Sequence, residues 1–577
     1  MDEGVPDRVI CGGPDFEEIL TGAYRIVDSI DRDGPYNHSM KRRGWFLLSI
    51  VMLLVVFVGP GPAQGADGGT IYLPLVIRGF GAPQLKWAYG GCYSSWCETG
   101  WYSSPAAVDV NGDGINDVVA SAYSIWALNG LNGSLLWRKG NTNNRTWPGV
   151  VVADINKDGQ KEIVIAQSGP SVSVYRLNGT PIFEKKAVSG SSNEFRGLLA
   201  ADLDANNSTM EIVVTSASGS AKNTWVLNSA GNPVGGKWPQ MTDGTGYAWG
   251  VYNANAAAGD LRPDLPGLEL VVPSDVHYIN AYDKNGNSLA ASATDYPGKT
   301  WGQVGVWENL AVEKRGWGAC DGVRAESYRT NFADGPAVIA DVNGDGTREV
   351  VVTGNMYDCH AGYPPSRYIA PFIFNADRSR FNTGGYNWQQ NPVDTGAPIS
   401  EDYNVIESAE ANPVVADLDG DGKKEILFAS YDGRVHAFWL DRTEHGSWPY
   451  SVYKPSEGFF RFASEPLVAD LDNNGRAEVI FTSWTQETSN RWGRLHILSW
   501  DGAPIYELDL PAPKSSSIHW NGGLAAPTLV NVDGDPDLEL VVNTAYSGVV
   551  VYDLPGTAAA RVLWGTGRGS YTRDGYR

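Results

Sequence analysis

Residues 341–352 have the sequence DVNGDGTREVVV, in which oxygen-bearing side chains stand at alternate positions before a run of valines. Asp341, Asn343 and Asp345 occupy positions 1, 3 and 5 of this stretch, and Gly346 and Glu349 occupy positions 6 and 9. Asp, Asn and Gly also build ordinary turns, in which Asp and Asn bond their own backbone. A single copy therefore indicates little, and the meaning of the stretch depends on its recurrence.

The stretch recurs along most of the chain. Its copies begin at Asp109, Asp154, Asp202, Asp260, Asp341, Asp417, Asp470 and Asn531. Successive starts lie 45, 48, 58, 81, 76, 53 and 61 residues apart, close to the 40–50 residues of a four-stranded propeller blade plus insertions. A short apolar strand precedes each copy and a β-branched strand follows it. We predict an all-β, eight-bladed β-propeller with the acidic loop between the first two strands of most blades; seven blades remain possible if the unit at Asp260 is an insertion.

The loop oxygens favour calcium. Ca²⁺ accepts six to eight oxygen ligands in flexible geometry, whereas Mg²⁺ requires a stricter octahedron. The alternative is a set of polar hairpin turns, but a turn has no evident use for an acid at position 9 in every unit. We expect about five to seven bound Ca²⁺ ions. The predicted ligands are Asp109, Asn111, Asp113, Asp117, Asp154, Asn156, Asp158, Glu162, Asp202, Asp204, Asn206, Glu211, Asp341, Asn343, Asp345, Glu349, Asp417, Asp419, Asp421, Glu425, Asp470, Asp472, Asn474, Glu478, Asn531, Asp533, Asp535 and Glu539.

Three loops depart from the pattern. In the loop from Asp202 the closing Glu211 is displaced by one residue, and in the loop from Asn531 Pro536 stands where glycine is expected. The loop from Asp260 carries Arg262 at a ligand position. We therefore predict that the Asp260 loop binds no metal and leave the occupancy of the Asp202 loop open.

The repeated D-x-[DN]-x-[DN]-G-x-x-[DE] loops resemble the FG-GAP and VCBS repeat families, which include the integrin α-subunit propeller and many secreted bacterial proteins. The resemblance covers residues 85–577 and implies a calcium-binding β-propeller. It implies no single activity, because propellers of this kind serve in adhesion, in carbohydrate binding and, in the rhamnogalacturonan lyases, in catalysis.

The region before the repeats indicates export. An apolar run, Trp45–Val58, follows three basic residues and precedes small ones, which is the pattern of a signal peptide. We predict a signal peptide at 40–65, with an uncleaved membrane anchor as the alternative, and a linker at 66–84. Residues 1–39 are acidic and make a poor leader for such a signal. We expect a mis-assigned start, with Met40 as the true one, or else a disordered leader at 1–39. The predicted location is secreted or at the cell surface.

Charge and cysteine content limit the partners. The formal net charge is −22, and it would remain near −19 without residues 1–65. Such a surface repels nucleic acid and anionic lipid, so we expect no nucleic-acid partner and membrane contact only through the signal or anchor segment. Four cysteines lie beyond the signal, and the simplest of three pairings joins Cys92 to Cys97 and Cys320 to Cys359.

Two long insertions, at about 283–335 and 355–410, exceed what a blade requires, and such loops often carry binding sites. Candidate members of an aromatic platform for a sugar or protein are Trp301, Trp307, Trp317, Arg324, Tyr328 and Arg329. The alternative is that these side chains pack the insertions against the ring.

No catalytic motif is present, and we name no catalytic residue. Glu308, Glu313 and Glu326 in the first insertion are carboxylates outside the metal loops. The leading hypothesis is a secreted or cell-surface, calcium-stabilised binding or adhesion module for a glycan or protein. A polysaccharide-active enzyme like the rhamnogalacturonan lyases is the alternative, followed by a purely structural module.

Overall fold

The computed structural model describes residues 79–90, 92–93, 96–97, 102–140, 144–188, 195–216, 222–240, 256–274, 277–314, 328–332, 335–358, 368–394, 412–486, 489–514 and 518–577. The predicted leader and signal peptide, and most of the predicted linker, lie outside these residues. Within them, no helix has both the length and the apolar character needed to cross a bilayer.

The first half of the described chain folds into four antiparallel blades. Blade 1 contains β4 (Ala106–Val108), β5 (Asp117–Ser121), β6 (Ile125–Leu128) and β7 (Leu135–Lys139). Blade 2 contains β8 (Val151–Ala153), β9 (Glu162–Gln167), β10 (Ser171–Arg176) and β11 (Pro181–Ala187). Blade 3 contains β12 (Phe195–Ala201), β13 (Glu211–Ser216) and β14 (Thr224–Leu227), and blade 4 contains β15 (Ala257–Gly259), β16 (Glu269–Pro273) and β17 (Ile279–Tyr282). The unit around Asp260 is therefore a blade and not an insertion.

Four further blades follow. Blade 5 contains β18 (Tyr328–Asn331), β19 (Val338–Ala340), β20 (Glu349–Asp358) and β21 (Tyr368–Asn375). Blade 6 contains β22 (Val414–Ala416), β23 (Glu425–Ala429), β24 (Arg434–Phe438) and β25 (Tyr450–Ser451). Blade 7 contains β26 (Arg461–Ala463), β27 (Leu467–Asp470), β28 (Glu478–Thr485), β29 (Arg494–Leu498) and β30 (Pro504–Asp509). Blade 8 contains β31 (Thr528–Val530), β32 (Leu538–Asn543) and β33 (Val549–Leu554). The prediction of an eight-bladed all-β propeller is confirmed.

A few short elements lie outside the blades. A small hairpin joins β2 (Cys92–Tyr93) to β3 (Trp96–Cys97), and the one described α-helix, α1, spans Leu310–Lys314. Single 3₁₀ turns occur at Trp301–Gln303 and Pro455–Glu457.

The ring is closed by a strand from the start of the chain that joins the last blade. The strand β1 (Gln84–Tyr89) comes before blade 1 in the sequence but pairs antiparallel with β33. It therefore forms the outer strand of blade 8, and the first strand of the ring completes the last blade.

The hydrophobic core lies between neighbouring blades. In β12, Leu198 belongs to a cluster with Val151 and Val164 of blade 2, whereas Leu199 packs with Ala258 and Leu270 of blade 4. Successive side chains of a strand point to opposite faces of its sheet. Each blade therefore buries both faces against its neighbours, which explains why one blade could not be stable alone.

A final segment, residues 561–577, lies inside the ring. Its strand β34 (Arg561–Trp564) pairs with the innermost strand β27 of blade 7, and Gly565 accepts the backbone N–H of Leu529 in blade 8. Beyond these, Tyr571, Thr572, Asp574 and Gly575 accept backbone N–H groups from the innermost strands of blades 2 to 5. We call residues 561–577 the axial segment; it follows the inner edges of the blades and fills the centre of the ring.

Candidate metal centres

The acidic loops share one backbone contact, and it involves the closing acid. In every blade the carboxylate at the start of the second strand accepts the backbone N–H of loop position 2 at 2.6–3.1 Å. The position-2 side chain, for example Leu418 or Val342, is buried in the core. The closing acid therefore fixes the loop against the blade, a use that the sequence analysis did not foresee.

The first aspartate closes the loop from the other side. Asp341 accepts the N–H of Gly344 at 2.7 Å and of Asp345 at 3.1 Å with one oxygen, and the N–H of Gly346 at 2.8 Å with the other. Gly346 has a φ of +87°, and Gly422 in blade 6 has +85°. Glycine at position 6 permits this sharp turn, because L side chains rarely adopt such angles.

Hydrogen bonds link consecutive loops around this face of the ring. The residue before the closing acid donates its backbone N–H to the position-2 carbonyl of the preceding blade. This occurs from Met210 to Ile155, Leu268 to Leu203, Lys424 to Val342 and Ala477 to Leu418. These hydrogen bonds join the loops of blades 2, 3 and 4 and, as a second run, those of blades 5, 6 and 7.

Three acidic side chains converge in several loops. Carboxylate oxygens lie within 4.8 Å of one another in three sets: Asp202, Asp204 and Glu211; Asp417, Asp419 and Glu425; and Asp470, Asp472 and Glu478. A fourth set, Asp533, Asp535 and Glu539, lies in blade 8. The hard oxygen donors of the first three sets fit Ca²⁺, so the displaced Glu211 still reaches its loop. In the loops from Asp109, Asp154 and Asp341 the third position is asparagine, whose carbonyl is a neutral donor.

Burial and charge crowding disfavour the ionised closing acids. Burial, together with the neighbouring Asp417, Asp419 and Asp421, raises the pKa of Glu425 to about 9. The same causes raise the pKa of Glu349 and of Glu478 to about 7. A bound cation would offset both effects by pairing with the carboxylates. The protein's own residues therefore supply a set of anionic sites that a divalent cation would stabilise.

The loop of blade 4 contains an internal cation. The guanidinium of Arg262 forms two hydrogen bonds of 2.8 Å with the carboxylate of Asp264. Glu269 still accepts the N–H groups of Leu261 and Arg262. The residues do not fit a metal, because Arg262 supplies a positive charge at a ligand position of the loop. That this loop binds no metal stays a prediction.

Two tryptophans of the predicted aromatic platform, Trp301 and Trp307, are described in the structure, and neither is at the surface. Trp301 is 0% exposed and Trp307 is 1% exposed, and Trp301 packs in a cluster with Val306, Phe372 and Phe374. This corrects the expectation for Trp301 and Trp307, since buried rings offer no face to a ligand. Trp317 and Arg324 lie outside the described residues, as does the side chain of Tyr328, and Arg329 is half-buried.

The described carboxylates of the first insertion are structural. Glu313 on α1 is buried and accepts hydrogen bonds from Arg378 at 3.1 Å and from Arg380 at 2.5 Å. Tyr368 donates to Glu308 at 2.8 Å. These contacts attach the insertion to blade 5, and neither carboxylate is a free acid.

Only one of the two predicted disulfides involves described residues. The β2–β3 hairpin places Cys92 opposite Cys97, a register that suits the predicted pair. Cys320 and Cys359 lie outside the described residues, so both disulfides stay predictions.

A further group of ligand-type side chains lies in blade 6. His436 is buried, with Nδ1 3.1 Å from Glu444 and Nε2 3.3 Å from Asp432. Arg434 forms ion pairs with both Asp432 and Asp394. Because the guanidinium already neutralises the carboxylates, this group is a charge-paired structural cluster.

A groove of about 450 Å³, lined by six polar and two apolar residues, lies beside α1. Its lining is Asn309, Leu310, Ala311, Lys314, Asn387, Gln389, Gln390 and Arg442. Arg442 has a φ of +70°, at a turn position where blades 2, 3, 4 and 7 have Gly179, Gly231, Gly286 and Gly502. The groove therefore contains a cation on a backbone conformation that four other blades give to glycine and that Arg378 of blade 5 shares. Residues held in such conformations are concentrated at functional sites.

Comparison with known proteins agrees with the fold. The model of the FG-GAP-like repeat matches residues 109–165 and 417–481, which include the loops of blades 1, 2, 6 and 7. No curated protein matches the chain.

Several solved structures are similar at low identity. The V. cholerae biofilm matrix protein Bap1 is 15% identical, with 82% of this chain and 90% of that chain covered and a TM-score of 0.44. BamB from Moraxella catarrhalis is 14% identical, with 78% and 96% covered and a TM-score of 0.40. The computationally designed Ika8 protein is 11% identical, with 82% and 99% covered and a TM-score of 0.40. From its repeats and its blades, the chain is an eight-bladed β-propeller that carries FG-GAP-like repeats.

Proposed function

We propose that this protein is a calcium-stabilised, extracytoplasmic β-propeller that binds a glycan or protein ligand. The observation that supports calcium is the convergence of three carboxylates in the loops of blades 3, 6 and 7. Their closing acids are buried and disfavoured as free anions. Divalent cations would neutralise these loops, and the hydrogen bond from Ala477 to the Leu418 carbonyl joins the loops of blades 6 and 7.

Ligands of such a ring must bind on a face or at the rim, because the axial segment fills the centre. The groove beside α1 is the candidate site, and its composition favours a glycan. Each carboxamide of Asn309, Asn387, Gln389 and Gln390 contains both a donor and an acceptor, which suits sugar hydroxyl groups. Arg442 donates to the Gln390 carbonyl at 3.0 Å and bounds the groove on the blade 6 side.

The ligand proposal is tested with a glycan array on calcium-loaded protein and on the variant Arg442→Gly. Glycine is the residue that four other blades use at this turn, so the variant keeps the turn. It removes the cation, its stem and the hydrogen bond to the Gln390 carbonyl. We expect glycan binding by the unmodified protein to fall at least tenfold in the variant. Lys185→Gly is the matched control, because Lys185 is an exposed basic residue with a φ of +50° on the outer strand of blade 2. If all three proteins bind glycan equally, the groove is not the glycan site. If the unmodified protein binds no glycan but captures a protein ligand, the ligand class is protein.

A further inference from the structure

The acidic loop of blade 8 contains an ammonium group from another part of the chain. Lys86 on β1 contacts Asp533, and its Nζ lies 3.5 Å from Glu539 Oε1. Both acids belong to the carboxylate set that includes Asp535. The side chain of Lys86 is 20% exposed, while those of Asp533 and Glu539 are 7% and 0% exposed. The positive charge is thus largely enclosed among the oxygens that would ligate a metal.

The backbone of β1 directs Lys86 into this position. Leu85 pairs with Tyr552 and Trp87 pairs with Val551, although these partners are adjacent in β33. Lys86 is therefore the extra residue of a β-bulge, a feature that re-aims a side chain. On its other side, the indole of Trp87 donates to the Gly130 carbonyl of blade 1 at 2.7 Å, so both residues attach β1 to the ring.

The loop itself is also adapted to one positive charge. Its first position is the neutral Asn531, whereas the other seven loops have aspartate there. Asn531 Oδ1 accepts the N–H of Gly534 at 3.0 Å, and its Nδ2 donates to the Asp535 carbonyl. An amide nitrogen that faces into the loop is a donor and cannot ligate a cation. The residues here do not fit calcium as those of blade 6 do.

We infer that the Lys86 ammonium takes the cation position in blade 8, so that this loop binds no calcium and closure of the ring does not depend on the metal. The inference deepens the proposed function, because it divides the loops into those completed by calcium and one completed by the chain. It replaces the prediction that Asn531, Asp533, Asp535 and Glu539 are metal ligands with a different proposal for these residues.

The experiment counts bound calcium by equilibrium dialysis and metal analysis on the full chain and on two variants. Lys86→Met keeps the length of the side chain and removes the charge, and we expect it to bind one more ion than the unmodified protein. Asp535→Asn in the otherwise unmodified chain should leave the count unchanged, because that loop contributes no ion. Lys86→Arg is the matched control, since it keeps the cation and should gain no ion.

Two results overturn the inference: a loss of one ion in Asp535→Asn, and no gain in folded Lys86→Met. If Lys86→Met does not fold, Asp535→Asn decides alone, because Asp535 is exposed and its replacement spares the core. A count of zero in the unmodified protein is a different outcome. It would refute the proposed calcium function, whereas an unchanged, non-zero count in Lys86→Met refutes only the role of Lys86.

Discussion

The loops of blades 4 and 6 have the same backbone role and different charges. In blade 6, Glu425 accepts the N–H of Leu418 and faces Asp417 and Asp419. In blade 4, Glu269 accepts the N–H of Leu261, but Arg262 pairs with Asp264. The closing acid thus remains where the metal ligands are lost. The closing acid therefore has two functions: it accepts the backbone N–H of position 2 in both blades, and it is a candidate calcium ligand only in blade 6. Mutation can separate the two functions.

The largest expected effect is that of calcium itself. Chelation should lower the melting temperature substantially, and calcium should restore it better than magnesium. When the free calcium concentration is 100 times the dissociation constant of a site, binding there adds about 2.7 kcal/mol to the free energy of unfolding. Several loops add such contributions. Differential scanning calorimetry of metal-stripped protein measures the effect. If the melting curve does not respond to chelator, the loops are only turns and the contrast between blades 4 and 6 has no metal basis.

Replacement of the closing acids separates their two functions. Glu425→Ala should remove one calcium ion and also leave the buried N–H of Leu418 unsatisfied, which costs about 1–3 kcal/mol. Glu425→Gln keeps an acceptor for that N–H and should lose only the ion. In blade 4, Glu269→Ala should destabilise by the hydrogen-bond cost alone, and Glu269→Gln should change stability little. Chemical denaturation with and without calcium distinguishes these cases; a calcium-dependent effect of Glu269→Gln would contradict the separation.

Substitution at position 5 compares the loops without touching the closing acid. Asp421→Ala should remove most of one site's contribution, which is about 2.7 kcal/mol at 100 times the dissociation constant. Asp264→Ala should have a smaller effect that is independent of calcium, since Arg262 stands at a ligand position of that loop and pairs with Asp264. Calcium titrations followed by thermal melting provide the measurement. Equal losses in the two variants would remove the distinction between the loops.

Blade 6 also has a smaller, pH-dependent contribution to stability, which comes from His436. It must be measured separately before the stabilities of the blade 4 and blade 6 variants are compared. Burial lowers the pKa of His436, but hydrogen bonds to Asp432 and Glu444 and their charges raise it overall to about 9. Because this value exceeds the unfolded value of about 6.5, the stability from His436 is complete below pH 6.5. It is lost as the pH rises through 9, by about 1 kcal/mol per pH unit. Chelated protein should show this loss between pH 7 and 9, and His436→Gln should not.

The control for that prediction is the corresponding histidine of blade 7. Burial lowers the pKa of His496 to about 3, so its contribution is lost on acidification below pH 6.5. His496→Gln should therefore leave the slope between pH 7 and 9 unchanged. A common slope change in both variants would contradict the assignment to His436.

The sequence predicted the ring because its information is repetitive. Eight loops with matching strands specify the number of blades, and the pattern that begins at Asp341 identifies the turn. The backbone role of the closing acid could have been predicted as well, since Glu269 remains in a loop whose ligand position is Arg262. A turn does have a use for this acid, contrary to the expectation from the sequence, because the acid accepts the backbone N–H of position 2.

Other features could not be read from local sequence. Lys86 enters the loop of blade 8 through a bulge between two strands more than 400 residues apart, and a bulge depends on the paired register. Trp301 and Trp307 are of a residue type that is common in binding surfaces, and the sequence alone does not show that they are buried. Their burial depends on how the insertion folds onto blade 5. The path of the axial segment was also unpredictable, because its residues contain no repeat.

The axial segment has a consequence for the order in which the chain can fold. It follows all eight blades in the sequence, so a ribosome makes it after every strand that it contacts. Until it arrives, the inner N–H groups of Val152, Ala200, Ala258 and Ile339 lack the acceptors that it provides. Arg573 then donates to the carbonyls of Val150, Ser104 and Pro105 near the start of the ring. A segment that follows every blade in the sequence therefore completes the first blades, and a chain interrupted before residue 561 would leave these inner N–H groups without their acceptors.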